Sequence, residues 1–218
     1  MCAVSRRRDL LLGTAIGTAG IGVTVALMAL TGHVHSDGFD LDLEVLVLGA
    51  VVLAVAAVVE EFLFRRLLLG GLLRLTGSAA VALTLSSVIF GLAHVVTTES
   101  TTALSVLSIV VGGVMYGLAY LRTGRIWMGV GIHVAWNFVQ ACVLGFVMSG
   151  TDDYSDALWH LAGTGAAWLG GGDYGPEGTV FSLVGRAVVI VLVVVLTRGR
   201  GLSAPCAKVE TWTSGSAS

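Results

Sequence analysis

The stretch VLVLGAVVLAVAAVVEEFLFRRLLL, residues 45–69, decides how this chain folds. Residues 45–59 carry no charge at all; two carboxylates, Glu60 and Glu61, and two guanidinium groups, Arg65 and Arg66, then interrupt the run before it resumes. As a helix the stretch is long enough to cross a hydrocarbon layer of about 30 Å. Charge in such a segment is expensive, and a chain keeps it there when it lines a polar cavity or marks a membrane surface.

The rest of the sequence agrees with a membrane setting. Of 218 residues 56% are hydrophobic and 12% charged, about half the charge of an ordinary soluble domain, and the mean hydropathy is +0.91. Apolar runs cover residues 10–31, 44–69, 79–96, 103–121, 126–149 and 180–197. Arg6, Arg7 and Arg8, then Arg65, Arg66 and Arg74, then Arg122 and Arg125, and finally Arg198, Arg200 and Lys208 all fall on one side of that layout. The opposite loops, 33–42, 97–102 and 150–178, hold no Lys or Arg, which puts both termini in the cytoplasm by the positive-inside rule. Arg186, inside the sixth run near its outer end, breaks the pattern. The expected fold is therefore an all-α polytopic membrane helix bundle of about six transmembrane helices, N-in/C-in.

Outside the spans the signals are weaker. The loop 150–179 is glycine-rich but carries Trp159 and Trp168, so it is expected in the outer interface, where indole rings settle. The tail 200–218 is polar and of low complexity, and is expected to be disordered. Ser5-Arg6-Arg7 before an apolar run faintly resembles a twin-arginine or secretory signal, but the 10–31 run is longer than a signal core and no clear cleavage site ends it. Cys2, Cys142 and Cys206 are too few and too scattered for a disulfide framework or a CxxC metal site and are read as free thiols, with Cys206 a candidate for acylation. There is no P-loop, GxGxxG, repeat or basic stripe, so no nucleic-acid partner is expected; glycines within spans serve close helix approach.

Three constellations carry chemistry. In Glu60-Glu61-Phe62-Leu63-Phe64-Arg65, adjacent helical residues diverge by about 100°, so Glu61 pairs with Arg65 at i, i+4 while Glu60 stands alone on another face. An isolated carboxylate in an apolar pocket suits general-base work on water; equally, both acids could simply mark the inner membrane surface. Phe90 and His94 share a helix face, as do His133 and Asn137. The imidazole and carboxamide of the latter pair could donate toward one oxygen or tie two helices together. Glu60 and His94 are equidistant from Gly77, so a turn there would bring them to one height. With His94 so deep, residues 95–102 are too short to reach the far surface, and their polar Thr97, Thr98, Glu99 and Ser100 require a water-filled cavity.

Glu-Glu-x-x-x-Arg at 60–65, Phe-x-x-x-His at 90–94 and His-x-x-x-Asn at 133–137, in that order within spans, resemble the three signature motifs of the CPBP family. These are the CAAX-protease-like (Rce1-like, Abi) and bacteriocin-processing intramembrane proteases. The likeness covers residues 44–149 as the catalytic core, leaving 1–43 as tail, first span and outer loop, 150–179 as outer interfacial loop, 180–199 as last span and 200–218 as tail. It implies a membrane endopeptidase hydrolysing a peptide bond. In it Glu60, assisted by His94, activates water, His133 and Asn137 form the oxyanion hole, and Arg65 holds Glu61. Both metal-free glutamate-type and metal-dependent mechanisms are associated with such proteins; if zinc were used, Glu60, His94 and His133 would bind it, but HExxH is absent and Asn137 suits an oxyanion better, so no cofactor is expected. The implied partners are a peptide or membrane-protein substrate and the lipid bilayer, and the Ala/Val/Gly/Leu bias suggests a bacterial inner (plasma) membrane. The alternatives are a non-enzymatic scaffold or bacteriocin-immunity protein on the same fold, and a small proton-coupled transporter. The latter should show repeated halves, which the sequence lacks.

Overall fold

Asp42 starts the segment quoted above: its Oδ1 accepts the backbone N–H groups of Glu44 and Val45, at 2.9 and 3.0 Å, and caps helix α2, Leu43–Glu61. In the computed structural model, which describes residues 6–98, 100–155 and 158–200, the helix does not stop at the charges. It widens into a π-helical stretch, Phe62–Leu69, and continues as α3, Gly70–Thr76, for 34 residues in all. π-helical segments inside longer helices are frequent at functional sites, and this one begins beside Glu60 and Glu61. Gly77 ends the helix in the left-handed conformation (φ 65°) and Ser78 caps the next one, so the expected turn is present.

The remaining helices are α1 (Arg6–Leu30), α4 (Ala79–Thr97), α5 (Ala103–Thr123), α6 (Trp127–Phe138), a short α7 (Ala167–Gly170) and α8 (Val180–Leu196). Four helical segments, 6–30, 43–76, 79–97 and 103–123, are long and apolar enough to cross a membrane. The other two apolar runs are helical over shorter lengths. α6 has 12 residues followed by five π-helical ones, Val139–Val143, and α8 has 17. The fifth run leaves its helix at Leu144, so 144–149 crosses no bilayer as helix. On α2 and α4 large apolar side chains such as Val51, Val55, Leu85 and Leu92 face outward, as lipid-facing residues do. The protein is a multi-pass, all-α membrane bundle.

Its centre is the contact of α1 with α6, helices distant in sequence. A Cβ on Gly13 would lie 2.3 Å from the Met128 carbonyl oxygen, and one on Gly17 2.4 Å from that of Ile132. Glycine at i and i+4 therefore lets two backbones touch, the small-residue packing that holds helices together in lipid.

Two ends are well defined. At one, Asp9 on α1 is ion-paired with Arg125 at 3.0 Å and Arg200 at 2.9 Å, while Arg122 donates to the Arg200 carbonyl oxygen. At the other, residues from all three Lys/Arg-free loops meet. Strands β1 (Val34–Phe39) and β2 (Trp159–Gly163) pair antiparallel, Val34 opposite Gly163, with an irregularity between Ser36 and Phe39. This sheet was not expected from the sequence. Thr98 donates to the Ser149 carbonyl oxygen and Ser100 to that of Asp173, and together with Thr97, Gly150 and Thr151 they line a cavity of about 400 Å³. The polar 97–102 connection is thus covered by the outer loop, as its shortness requires. That loop is not merely interfacial, since Glu177 and Tyr174 are buried in it. The tail from 201 on, Cys2, Cys206 and Glu99 lie outside the described residues; Cys142 is a free, buried thiol.

Candidate active site

Glu60 and Glu61 close α2, and both reach one imidazole. His133, on α6, has Nδ1 3.4 Å from Glu61 Oε1 and Nε2 4.0 Å from Glu60 Oε2. The divergence of adjacent carboxylates had argued against a common target. It fails because the two nitrogens of an imidazole lie on different edges of the ring, so a ring inserted between diverging carboxylates meets both. Gly129, one turn before His133, makes the approach possible: a Cβ there would lie 2.5 Å from Glu61 Oε2.

Glu61 is fully buried, and its second oxygen lies 3.5 Å from Arg65 Nε, so the expected i, i+4 pair is present. Arg65 is buried too, and its guanidinium carbon lies over the rings of Phe90 (4.3 Å to the centroid) and Tyr116 (5.1 Å). Stacking on aromatic faces suits the weakly hydrated guanidinium. Glu60 differs from Glu61 in access, with its side chain 33% exposed. The carboxylate with a way out of the cluster is the one expected to meet water.

His94 joins through Phe90. Its ring stands edge-on to that of Phe90 at 4.7 Å, and its Nδ1 donates to the Phe90 carbonyl oxygen at 2.9 Å. That bond fixes the tautomer, so in the neutral ring Nε2 keeps its lone pair. Glu60 was expected to meet His94, with His133 and Asn137 opposite; among the described residues its basic neighbour within 4.0 Å is instead His133, because α2 packs directly against α6. Asn137 lies one turn beyond His133 on α6, half-buried, its carboxamide without a hydrogen-bond partner among the described residues. The structure thus gathers Glu60, Glu61, Arg65 and His133 directly and His94 through the Phe90 ring.

The cluster has more polar capacity than its protein partners satisfy. Glu60 Oε2, both Glu61 carboxylate oxygens, the two Arg65 Nη atoms and His133 Nδ1 are buried without a hydrogen bond among the described residues. Such groups call for an explanation, and the Arg65 guanidinium 3.5 Å from Glu61 supplies part of it. No three His, Cys, Asp or Glu side chains among the described residues are grouped as metal ligands; of Glu60, His94 and His133, the first and last lie 4.0 Å apart and His94 stands against Phe90.

Sequence reasoning missed Tyr116, whose ring stacks on His133, and Gly129. A phenol in the middle of the fourth apolar run was the available signal for the first. A second polar cluster was signalled only by Arg186. Its Nη2 donates to Glu177 Oε1 and its Nε to Ser108 Oγ, each at 2.9 Å, its guanidinium lies 4.7 Å from the Trp136 ring, and Ser149 donates to Glu177 Oε2 at 2.6 Å. Burial beside Glu177 also pushes the Tyr174 phenol above its ordinary range.

The fold is thus a multi-pass helical bundle with a carboxylate–imidazole–guanidinium cluster buried inside it. Residues 42–139 match the sequence model for the type II CAAX prenyl endopeptidase Rce1-like family. The matched segment runs from the Asp42 cap past His133 and Asn137 and so contains all three motifs, in keeping with the family they resemble. No curated protein and no solved structure matches the chain significantly.

Proposed function

We propose that the protein is an intramembrane endopeptidase in which Glu60, working with His94, is the base that activates water. The observation that carries this reading is the Glu60 side chain, partly exposed overall, whose buried Oε2 lies 4.0 Å from His133 Nε2. That gap exceeds a hydrogen bond and is short enough for one oxygen atom to touch both groups. A water or a carbonyl oxygen there would meet base and donor together.

The peptide carbonyl is attacked by water as Glu60 takes its proton. The doubly protonated His133 satisfies Glu61 through Nδ1–H and offers Nε2–H to the oxyanion, with Asn137 as second donor. A donor of this kind contributes about 3 kcal/mol to the transition state in well-studied enzymes. Glu61 and Arg65 hold the ring and the helix. Water activation in this scheme needs no metal. The substrate is a peptide or membrane-protein segment, and the setting is a bacterial cell membrane with both chain termini in the cytoplasm, which the Lys/Arg asymmetry supports.

The test compares the membrane proteomes of cells carrying the wild-type or the Glu60→Ala protein at equal expression. A shortened polypeptide that accumulates only with the wild type is expected. Identical proteomes, with any cellular phenotype retained by Glu60→Ala, would point instead to a scaffold or immunity protein.

A further inference from the structure

We infer that Tyr116 is a positioning residue for the reaction, its ring face fixing the His133 imidazole between Glu60 and Glu61. The inference rests on the endopeptidase reading above. Glu61 approaches the imidazole at Nδ1 (3.4 Å) and Glu60, more distantly, at Nε2 (4.0 Å), so both act on the edge of the ring. They leave rotation about the Cβ–Cγ bond weakly restrained, since that torsion has broad wells in histidine. Something must hold the ring face.

Tyr116 does so. It is 3% exposed, its ring centroid lies 4.7 Å from that of His133, and the two planes are inclined by only 22°. Phe90 stands edge-on to it at 6.2 Å, and the Arg65 guanidinium lies 5.1 Å from its centroid. The phenol hydroxyl has no hydrogen bond among the described residues, so the ring rather than the oxygen acts.

The backbone is built to put that ring there. A Cβ on Gly113 would lie 2.8 Å from Ser87 Cα, and one on Gly91 would lie 2.4 Å from a Val110 methyl carbon. Two glycines thus draw α4 and α5 together, and Phe90 and Tyr116 become adjacent walls of one box. His133 enters that box from α6, and Arg65 enters it from the π-helical stretch.

The experiment uses the full-length protein in detergent, with Tyr116→Leu and Tyr116→Phe compared for kcat and KM on a cleaved peptide. The His133 ring resonances, assigned through His133→Gln, are recorded without substrate. Tyr116→Leu is expected to lose about 10²-fold in kcat, the scale of a misplaced catalytic group, with KM unchanged, and Tyr116→Phe to restore it. The His133 ring protons should show an upfield ring-current displacement in the wild type and Tyr116→Phe that is absent in Tyr116→Leu. Wild-type kcat in Tyr116→Leu, or a folded Tyr116→Phe that loses as much, overturns the inference. If Tyr116→Leu does not fold, Tyr116→Phe decides: activity and displacement both kept support it, and loss of either sinks it. Should the wild type cleave no peptide, the endopeptidase reading fails separately, and the resonances alone judge the stacking.

Discussion

Glu61 reaches across the interface between α2 and α6 to His133, Oε1 3.4 Å from Nδ1, while its other oxygen stays with Arg65 on its own helix. One buried carboxylate therefore serves two partners, whereas its neighbour Glu60, a third exposed, only approaches His133 Nε2 at 4.0 Å. The two acids should respond differently to loss of charge. Glu60→Gln should lower peptide cleavage by about 10²-fold or more, the contribution of a general base, and leave the melting temperature in detergent near that of the wild type. Glu61→Gln should lower the melting temperature markedly, because removing one partner of a buried pair costs about 3–5 kcal/mol. Near-normal cleavage by Glu60→Gln would dismiss it as the base.

Metal independence has its own measurement. Glu60, His94 and His133 do not form a three-ligand group among the described residues, and His133 Nδ1 faces Glu61 at 3.4 Å. Elemental analysis of the purified protein should give well under one zinc per chain, and cleavage should survive a chelator. Stoichiometric zinc, with activity lost on chelation and restored by the metal, would replace the proposed water activation with a metal-assisted one.

Much of this was legible because helical spacing is a local property. The Glu61–Arg65 pair, the Phe90–His94 contact and the turn at Gly77 follow from positions a few residues apart, and each is present. What escaped depends on helices distant in sequence. The insertion of His133 between adjacent acids needs Gly129 on another helix, and nothing near Glu60 announces it. Arg65 could be paired with Glu61 from spacing, but its place over Phe90 and Tyr116 could not. β1 and β2 are short and far apart in the chain, so neither is long enough to show the alternation that marks a strand. Arg186 stood out as an anomaly; its partner Glu177 sits in a glycine-rich loop with no periodicity.

The Arg186–Glu177 pair should behave as a structural lock. Both residues are buried, and Ser108, Ser149 and Trp136 tie them to α5, the outer loop and α6. Arg186→Met alone strands a buried carboxylate, and Glu177→Leu alone strands a buried guanidinium. Each single change should cost about 3–5 kcal/mol, while the double replacement by apolar side chains should cost less than either. Thermal unfolding of the four proteins in one detergent tests this cycle. Additive losses would mean that the two charges are not coupled.

The membrane orientation can be checked at the two ends the structure defines. β1 and β2 are hydrogen-bonded, so residues 34–39 and 159–163 share one side of the membrane whatever that side is. Asp9, Arg125 and Arg200 likewise share the opposite end. Ser36 and Asp153 are exposed at the first end, and Arg74 is exposed on the helix that leads into the Gly77 turn. Single cysteines should be introduced as Ser36→Cys, Asp153→Cys and Arg74→Cys in a protein lacking its native thiols, then treated in intact cells with a membrane-impermeant maleimide. Ser36→Cys and Asp153→Cys should be labelled outright, and Arg74→Cys only after lysis, as the positive-inside rule expects for loops without Lys or Arg. Labelling of Arg74→Cys alone in intact cells would reverse the orientation and turn the Glu60 site toward the other compartment. Labelling that splits Ser36 from Asp153 would contradict the strand pairing itself.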